Sequence, residues 1–268
     1  MRTAMPSIGE GEWEEDPMAD LKLDVFVGGD NAFNVTSTIV SGERDAVVVD
    51  GQFTRTDAER LAETIKATGK NLTAVYITHG HPDHYWGLTT LRAAFPQARF
   101  VTAPEVIGVI EETLAAKVAQ WEPLDGDVID LEGNELRIIH LGQGDVHDST
   151  VVWIPSIRAL AAGDVAYNGT HVWLAEANAD ERKEWIANLE KLAGMDPVTV
   201  VAGHKVPGTD DEARRVLLDE TRDYVAAFDA AVEQGSPKQE LIQRVTAKYG
   251  DRALPMILDI AAGAAFPG

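Results

Sequence analysis

Cysteine is absent from this sequence of 268 residues. Its absence excludes disulfide bonds, thiolate nucleophiles and zinc sites with sulfur ligands. Long apolar runs are lacking too, since no stretch reaches the roughly 20 residues that a membrane-spanning helix needs. Residues 1–16 become strongly acidic and contain neither the apolar core of a signal peptide nor a transit sequence. We therefore expect a cytoplasmic protein that does not enter a membrane.

Basic residues are scarce as well. The chain has 23 Lys and Arg against 44 Asp and Glu, a formal net charge of -21. Nucleic-acid binding normally requires a basic surface that displaces counterions from the phosphates. Anionic membranes and polyanionic substrates are disfavoured by the same repulsion. The composition therefore predicts a small-molecule substrate and no nucleic-acid or membrane partner.

Histidine is used sparingly but in one place densely. The chain has seven histidines, and three of them lie within residues 79–84 in the pattern His-x-His-x-Asp-His. This run directly follows the apolar segment 72–78, which reads as a β-strand. Imidazole nitrogen and carboxylate oxygen are the ligands that zinc, iron and manganese favour. The run therefore predicts a metal site formed by His79, His81, Asp83 and His84.

Three further residues of the same ligand types follow other apolar runs. His147 comes shortly after the run 136–142, Asp164 follows 158–163, and His204 follows 198–203. Loops at strand ends can converge on a site that the sheet holds rigidly. The remaining histidines receive other roles: His140 is predicted to be a core residue within its strand, and His171 to line a substrate pocket with Trp173.

The ordered pattern resembles that of the metallo-β-lactamase superfamily, most closely its dinuclear branch of glyoxalase II-like and lactonase-like enzymes. The resemblance covers roughly residues 20–208. It implies an α/β fold, a four-layer αββα sandwich with two metal ions at one edge. It also implies that one metal binds His79, His81 and His147, that the other binds Asp83, His84 and His204, and that Asp164 bridges them.

The implied chemistry is metal-dependent hydrolysis. Two divalent metals, zinc by default with iron or manganese as alternatives, would produce a metal-bound hydroxide that attacks an acyl group. A lactone or carboxylic ester is the leading substrate, and a thioester follows. Asp83 has a second role as acceptor of the hydroxide proton, and Tyr167, three residues after Asp164, is a candidate oxyanion donor. Two alternatives stay open: a mononuclear-iron oxidoreductase resembling persulfide dioxygenases, and a non-catalytic binding scaffold.

The chain divides into three parts on composition. Residues 1–18 form an acidic arm, 19–208 the catalytic core, and 209–268 a small helical appendage. The appendage ends in an apolar cluster that must be covered, either by the chain's own core or by a second subunit in a homodimer. Its position, over a sheet edge or as a lid near the metals, is left open. The cluster contains Leu254, Met256, Ile257, Leu258 and Ile260.

Overall fold

The computed structural model describes residues 20–114, 122–235 and 237–266. The acidic arm predicted at 1–18 lies outside the described residues. Within the described ranges, no helix combines the length and the apolar character needed to cross a bilayer.

The first sheet has six strands in the order β1-β2-β3-β4-β5-β6. Strands β1 to β3 form an antiparallel meander, and the pairs from β3 to β6 are parallel. The parallel strands are nearly continuous apolar runs because both of their faces are covered. The strands are β1 (Lys22–Val27), β2 (Thr36–Ser41), β3 (Asp45–Val49), β4 (Asn71–Ile77), β5 (Arg99–Thr102) and β6 (Glu122–Pro123).

The second sheet has five strands in the order β12-β10-β9-β8-β7. The long hairpin β8–β9 forms its centre, and β12 pairs parallel with β10. A separate two-stranded ribbon joins β11 and β13 beside the ends of β10 and β12. The strands are β7 (Val128–Leu131), β8 (Asn134–Gln143), β9 (His147–Ile154), β10 (Ala159–Ala161), β11 (Tyr167–Asn168), β12 (Thr199–Val201) and β13 (His204–Lys205).

Helices cover the outer face of each sheet. One apolar cluster joins the first sheet to α1, α3 and α4, a second joins the second sheet to α5 and to the C-terminal helices, and a third lies between the two sheets. These layers are the predicted αββα sandwich, which is therefore confirmed. The helices of the core are α1 (Arg55–Ala67), α2 (Pro82–Tyr85), α3 (Leu88–Ala94), α4 (Pro104–Leu114) and α5 (Ala179–Ala193).

The C-terminal region is helical, as the sequence predicts. It begins with a π-helical stretch over Arg215–Arg222 and continues as α6 (Asp223–Glu233), α7 (Lys238–Tyr249) and α8 (Pro255–Ala265). The segment before α8 pairs with the loop after β11, because His171 N donates to Ala253 O at 2.9 Å. This pairing attaches α8 to the edge of the sandwich where strands β4, β10 and β12 end.

The two sheets are tied together at this same edge. Thr150 on β9 donates through its backbone N–H (3.1 Å) and its hydroxyl (2.6 Å) to the carbonyl of Thr78, the residue that follows β4. The Tyr76 hydroxyl lies 2.8 Å from the side-chain oxygen of Thr150. All of these groups are buried, so the bonds hold the end of β4 against the second sheet. The loop that starts at His79 is therefore fixed at its root.

Candidate metal centre

A buried carboxylate, that of Asp164, lies where the loops of both sheets meet. Its Oδ1 is 3.1 Å from His84 Nε2, and its Oδ2 is 3.0 Å from His204 Nε2 and 3.7 Å from His79 Nε2. These histidines follow β4 in the first sheet and β12 in the second. The carboxylate therefore contacts imidazoles from both halves of the sandwich.

Two groups of metal-competent side chains lie on either side of this carboxylate. In each group, the potential ligand atoms lie within 4.8 Å of one another. Within the second group, Asp83 Oδ2 is 3.4 Å from His204 Nε2 and 3.9 Å from His84 Nε2. The first group contains His79, His81, Asp145 and Asp164, and the second contains Asp83, His84 and His204.

Hydrogen bonds to Nδ1 orient the imidazoles of His79 and His84. The Nδ1 atom of His84 lies 2.9 Å from Asp50 Oδ2, and that of His79 lies 2.9 Å from Thr78 Oγ1. Thr78 in turn donates to Asp50 through its amide and its hydroxyl, at 3.0 Å each. Because Thr78 gives its hydroxyl proton to Asp50, its oxygen accepts the Nδ1–H of His79. Both rings therefore present an unprotonated Nε2 towards Asp164 when they are neutral.

His204 is oriented in the same way from the second sheet. Its Nδ1 donates to the carbonyl of Phe33 at 2.6 Å, which leaves Nε2 for Asp164. The preceding residue, Gly203, makes this approach feasible, since a Cβ there would lie 2.0 Å from Asp164 Oδ1. The glycine in the Gly-His pair is thus required by the close passage of the carboxylate.

The electrostatics of the cluster favour added positive charge. Burial alone would lower the pKa of the His84 imidazole, but the carboxylates of Asp164 and Asp50 raise this pKa well above its usual value. Burial likewise opposes ionisation of Asp164, yet His204 and His84 hold the pKa of its carboxyl well below normal. In contrast, burial and the neighbouring His84 lower the pKa of His79, which stays neutral and able to bind a cation.

The structure does not bring His147, a predicted ligand, into either group of potential ligand atoms. The His147 side chain is 62% exposed, and its Nδ1 lies 2.8 Å from Asp148 Oδ2. His147 is the first residue of β9 and pairs with Gln143, so its side chain lies outside the cluster. Asp145, in the turn before β9, is fully buried instead, with Oδ2 2.8 Å from His81 Nδ1. In the first group, Asp145 thus takes the place that the sequence pattern assigned to His147.

The residues present fit a pair of cations. Within the described chain, six buried atoms of the cluster have no hydrogen-bond partner, and polar atoms are rarely left so in a folded interior. These atoms are Nε2 of His79, His81 and His84, both carboxylate oxygens of Asp145, and Oδ1 of Asp164.

A cavity of about 400 Å³ opens above the two groups. Asp83, Asp164 and His204 form part of its floor, while most other lining side chains are aromatic or aliphatic. Neither lysine nor arginine is among the described residues that line it. One wall is a ladder of aromatic rings, and another comes from the C-terminal appendage. The apolar lining comprises Phe33, Phe53, Pro82, Trp86, Tyr167, Trp173, Leu254, Met256, Ile257 and Ile260.

Tyr167 lies at the boundary between cavity and cluster. Its hydroxyl donates to Asp164 Oδ2 at 3.0 Å, and its ring stacks on that of His204 with centroids 5.4 Å apart. Burial and the charge of Asp164 raise the pKa of this phenol well above its usual value. The Tyr167 phenol therefore keeps its proton at neutral pH.

Other sequence predictions fare differently. His171 and Trp173 do border the cavity. His140 is not a core residue, because the ladder is irregular between His140 and Gly142 and the ring turns outward to Glu105 and Asp127. Asp50, which contacts His84 and Thr78, was not among the predicted site residues. Asp50, which ends the apolar run of β3 as Asp164 ends that of β10, was detectable by the same pattern.

The chain belongs to the metallo-beta-lactamase superfamily, whose family model matches residues 30–204. The fold agrees: a metallo-beta-lactamase from Pontibacter korlensis superposes with a TM-score of 0.59 at 18% identity, covering 77% of this chain and 94% of that one. At this identity the likeness concerns the fold alone.

Curated relatives are similar to the chain at low identity. Hydroxyacylglutathione hydrolase from Aeromonas hydrophila is 29% identical over 61% of this chain and 58% of its own length. Metallo-beta-lactamase type 2 from Bacillus cereus is 27% identical over 70% of this chain and 71% of its own. An atrochrysone carboxyl ACP thioesterase from Emericella nidulans is 28% identical over 52% of this chain and 43% of its own. The chain thus covers less than two thirds of the length of two of these three relatives.

The assignment of Asp145 is testable against His147. We expect Asp145→Ala to lower bound metal by about one ion per chain, since the first group would lose a ligand. His147→Ala is the matched control and should retain the wild-type content. Elemental analysis after dialysis against metal-free buffer measures both. Loss of metal from the His147 variant alone would restore the original assignment.

Proposed function

We propose that the protein is a dinuclear metal-dependent hydrolase of a small, uncharged acyl substrate, a lactone or carboxylic ester first and a thioester second. The observation that carries the proposal is the apolar cavity that lies directly over two adjoining groups of metal ligands. The hydrolase and thioesterase names of the relatives support acyl-bond hydrolysis.

Two divalent cations, zinc by default and iron or manganese as alternatives, would supply a nucleophile from water at neutral pH and polarise the acyl carbonyl. The residues for one cation are His79, His81 and Asp145, those for the other are Asp83, His84 and His204, and Asp164 lies between them. Asp83 lies at the cavity floor, where its carboxylate is placed to take up the proton of the attacking water.

The lining of the cavity selects against charge. The described lining residues include no lysine or arginine to pair with a substrate carboxylate or phosphate, whereas Asp83, Asp164 and Glu176 are acidic. The rings of Phe33 and Phe53 lie 5.7 Å apart and those of Phe53 and Trp86 5.2 Å apart, forming a continuous apolar wall. A neutral acyl substrate with an apolar substituent matches this surface.

A second function is favoured by one observation. With Asp145 in place of an imidazole, each group combines two histidines with carboxylate, and such sets also bind the iron of mononuclear oxygenases. An oxidoreductase that resembles persulfide dioxygenases is therefore the alternative. It requires one iron per chain and the consumption of oxygen.

One experiment separates these functions. Protein purified without added metal is analysed for its elements and assayed with lactones, esters, thioesters and a persulfide. We expect two metal ions per chain and hydrolysis of an uncharged ester or lactone. One iron, with oxygen consumed in the presence of the persulfide, would replace the hydrolase by the oxidoreductase. The absence of any turnover at full metal content would favour the non-catalytic scaffold.

The role of Tyr167 is testable by removing its hydroxyl. We expect Tyr167→Phe to keep both metals and to lower kcat roughly 10²- to 10³-fold, because the hydroxyl that donates to Asp164 without substrate would turn to the oxyanion that forms in the cavity. Tyr249→Phe removes a phenol that does not line the cavity and should leave kcat unchanged. An unaltered kcat in Tyr167→Phe would leave this residue only a packing role.

The contribution of α8 to substrate binding is testable with esters of increasing acyl length. Each methylene buried in the cavity should raise kcat/KM by up to about fourfold, from about 0.8 kcal/mol per buried CH₂. Met256 borders the cavity and is 53% exposed, so Met256→Ser should reduce this gain. Val198 is 55% exposed away from the cavity, so Val198→Ser is the control. Equal chain-length dependence in all three proteins would remove α8 from the substrate site.

A further inference from the structure

His171 borders the cavity but belongs to neither metal group. It lies in the loop after β11, and its backbone is paired with Ala253 just before α8. The imidazole is 3% exposed, so it is held almost entirely within the protein. Because the ring is buried in an apolar wall, each of its two nitrogens needs a hydrogen-bond partner.

One nitrogen is accounted for by Tyr224 on α6, whose hydroxyl lies 2.7 Å from His171 Nδ1. Tyr224 is fully buried. The hydroxyl proton therefore needs an acceptor, and the partner recorded for it in the described chain is Nδ1 of His171. With its proton donated there, Tyr224 forces the ring hydrogen of neutral His171 onto Nε2.

The ring is also kept uncharged. Burial and the Arg252 guanidinium lower the pKa of His171 to about 4. Arg252 is fixed nearby, donating to Thr170 O at 3.0 Å and lying 5.1 Å from the centroid of the Tyr224 ring. At neutral pH the imidazole is thus a single tautomer with one N–H left over.

Among residues 20–114, 122–235 and 237–266, the structure shows a side-chain hydrogen bond for His171 only at Nδ1, and the ring borders the cavity, so Nε2–H is left for a ligand there. We propose that Nε2–H of His171 is a fixed hydrogen-bond donor for an uncharged carbonyl oxygen of the substrate, separate from the scissile acyl group. The inference rests on the proposed function of the cavity. It narrows the substrate to an apolar ester or lactone with a second carbonyl, and Tyr224 acts as the positioning residue for the donor.

The tautomer is tested without any activity measurement. In protein labelled with ¹⁵N at histidine, NMR should show His171 protonated at Nε2 and unprotonated at Nδ1. Tyr224→Phe should mix the two tautomers, since the imidazole remains but its fixed partner is gone. A wild-type ring protonated at Nδ1 would overturn the proposal.

The binding role is tested with two esters of equal length, one with a ketone in its acyl chain and one with a methylene there. We expect the wild type to have a higher kcat/KM for the ketone ester than for the methylene ester. In His171→Phe this ratio should fall roughly three- to tenfold, mainly through KM, as expected for the loss of one neutral hydrogen bond. His140→Phe, at a histidine outside the cavity, is the control. An unchanged preference in His171→Phe would overturn the proposal.

The failure of the proposed function would look different. If neither ester is hydrolysed, the hydrolase proposal fails. The His171 proposal is then decided by a binding measurement with an amide that carries the same ketone-containing acyl chain. Addition of this amide should shift the Nε2 resonance of His171 in the wild type but not the resonances of His140. The absence of a shift at saturating amide would overturn the His171 proposal as well.

Discussion

The buried carboxylate of Asp164 is the group on which the site depends. It lies at the junction of the two sheets and contacts His79 and His84 from one sheet and His204 from the other. A buried negative charge of this kind is tolerable only when positive charge and hydrogen bonds surround it. The neighbouring structure serves that need, since Gly203 makes room for it and Tyr167 donates to it. One cation on each side of Asp164 would complete the compensation of its negative charge.

The same arrangement explains the contrast between floor and walls. The floor of the cavity concentrates carboxylates and imidazoles, while the walls are aromatic and aliphatic and, among described residues, contain no lysine or arginine. The C-terminal helix α8 contributes to these walls. The appendage therefore lines the cavity, and this contact covers part of its apolar cluster.

Much of the fold and most of the cluster were predictable because strand patterns and ligand spacing are local properties. The run from His79 to His84 and the strand-end residues Asp164 and His204 lie where the patterns predict. The choice between Asp145 and His147 was not predictable, because a turn and a left-handed residue at Asp148 interrupt the alternation of side chains there. The orientation of α8 was likewise not predictable. Its sequence is apolar on most faces, so it indicates that the helix is buried but not what it packs against.

Anomalous diffraction from crystals of the protein grown with its native metal would show whether Asp164 lies between two cations. We expect two peaks, one contacted by His79, His81 and Asp145 and the other by Asp83, His84 and His204, with Asp164 adjacent to both. A single peak, or a first peak contacted by His147 in place of Asp145, would rule out this arrangement.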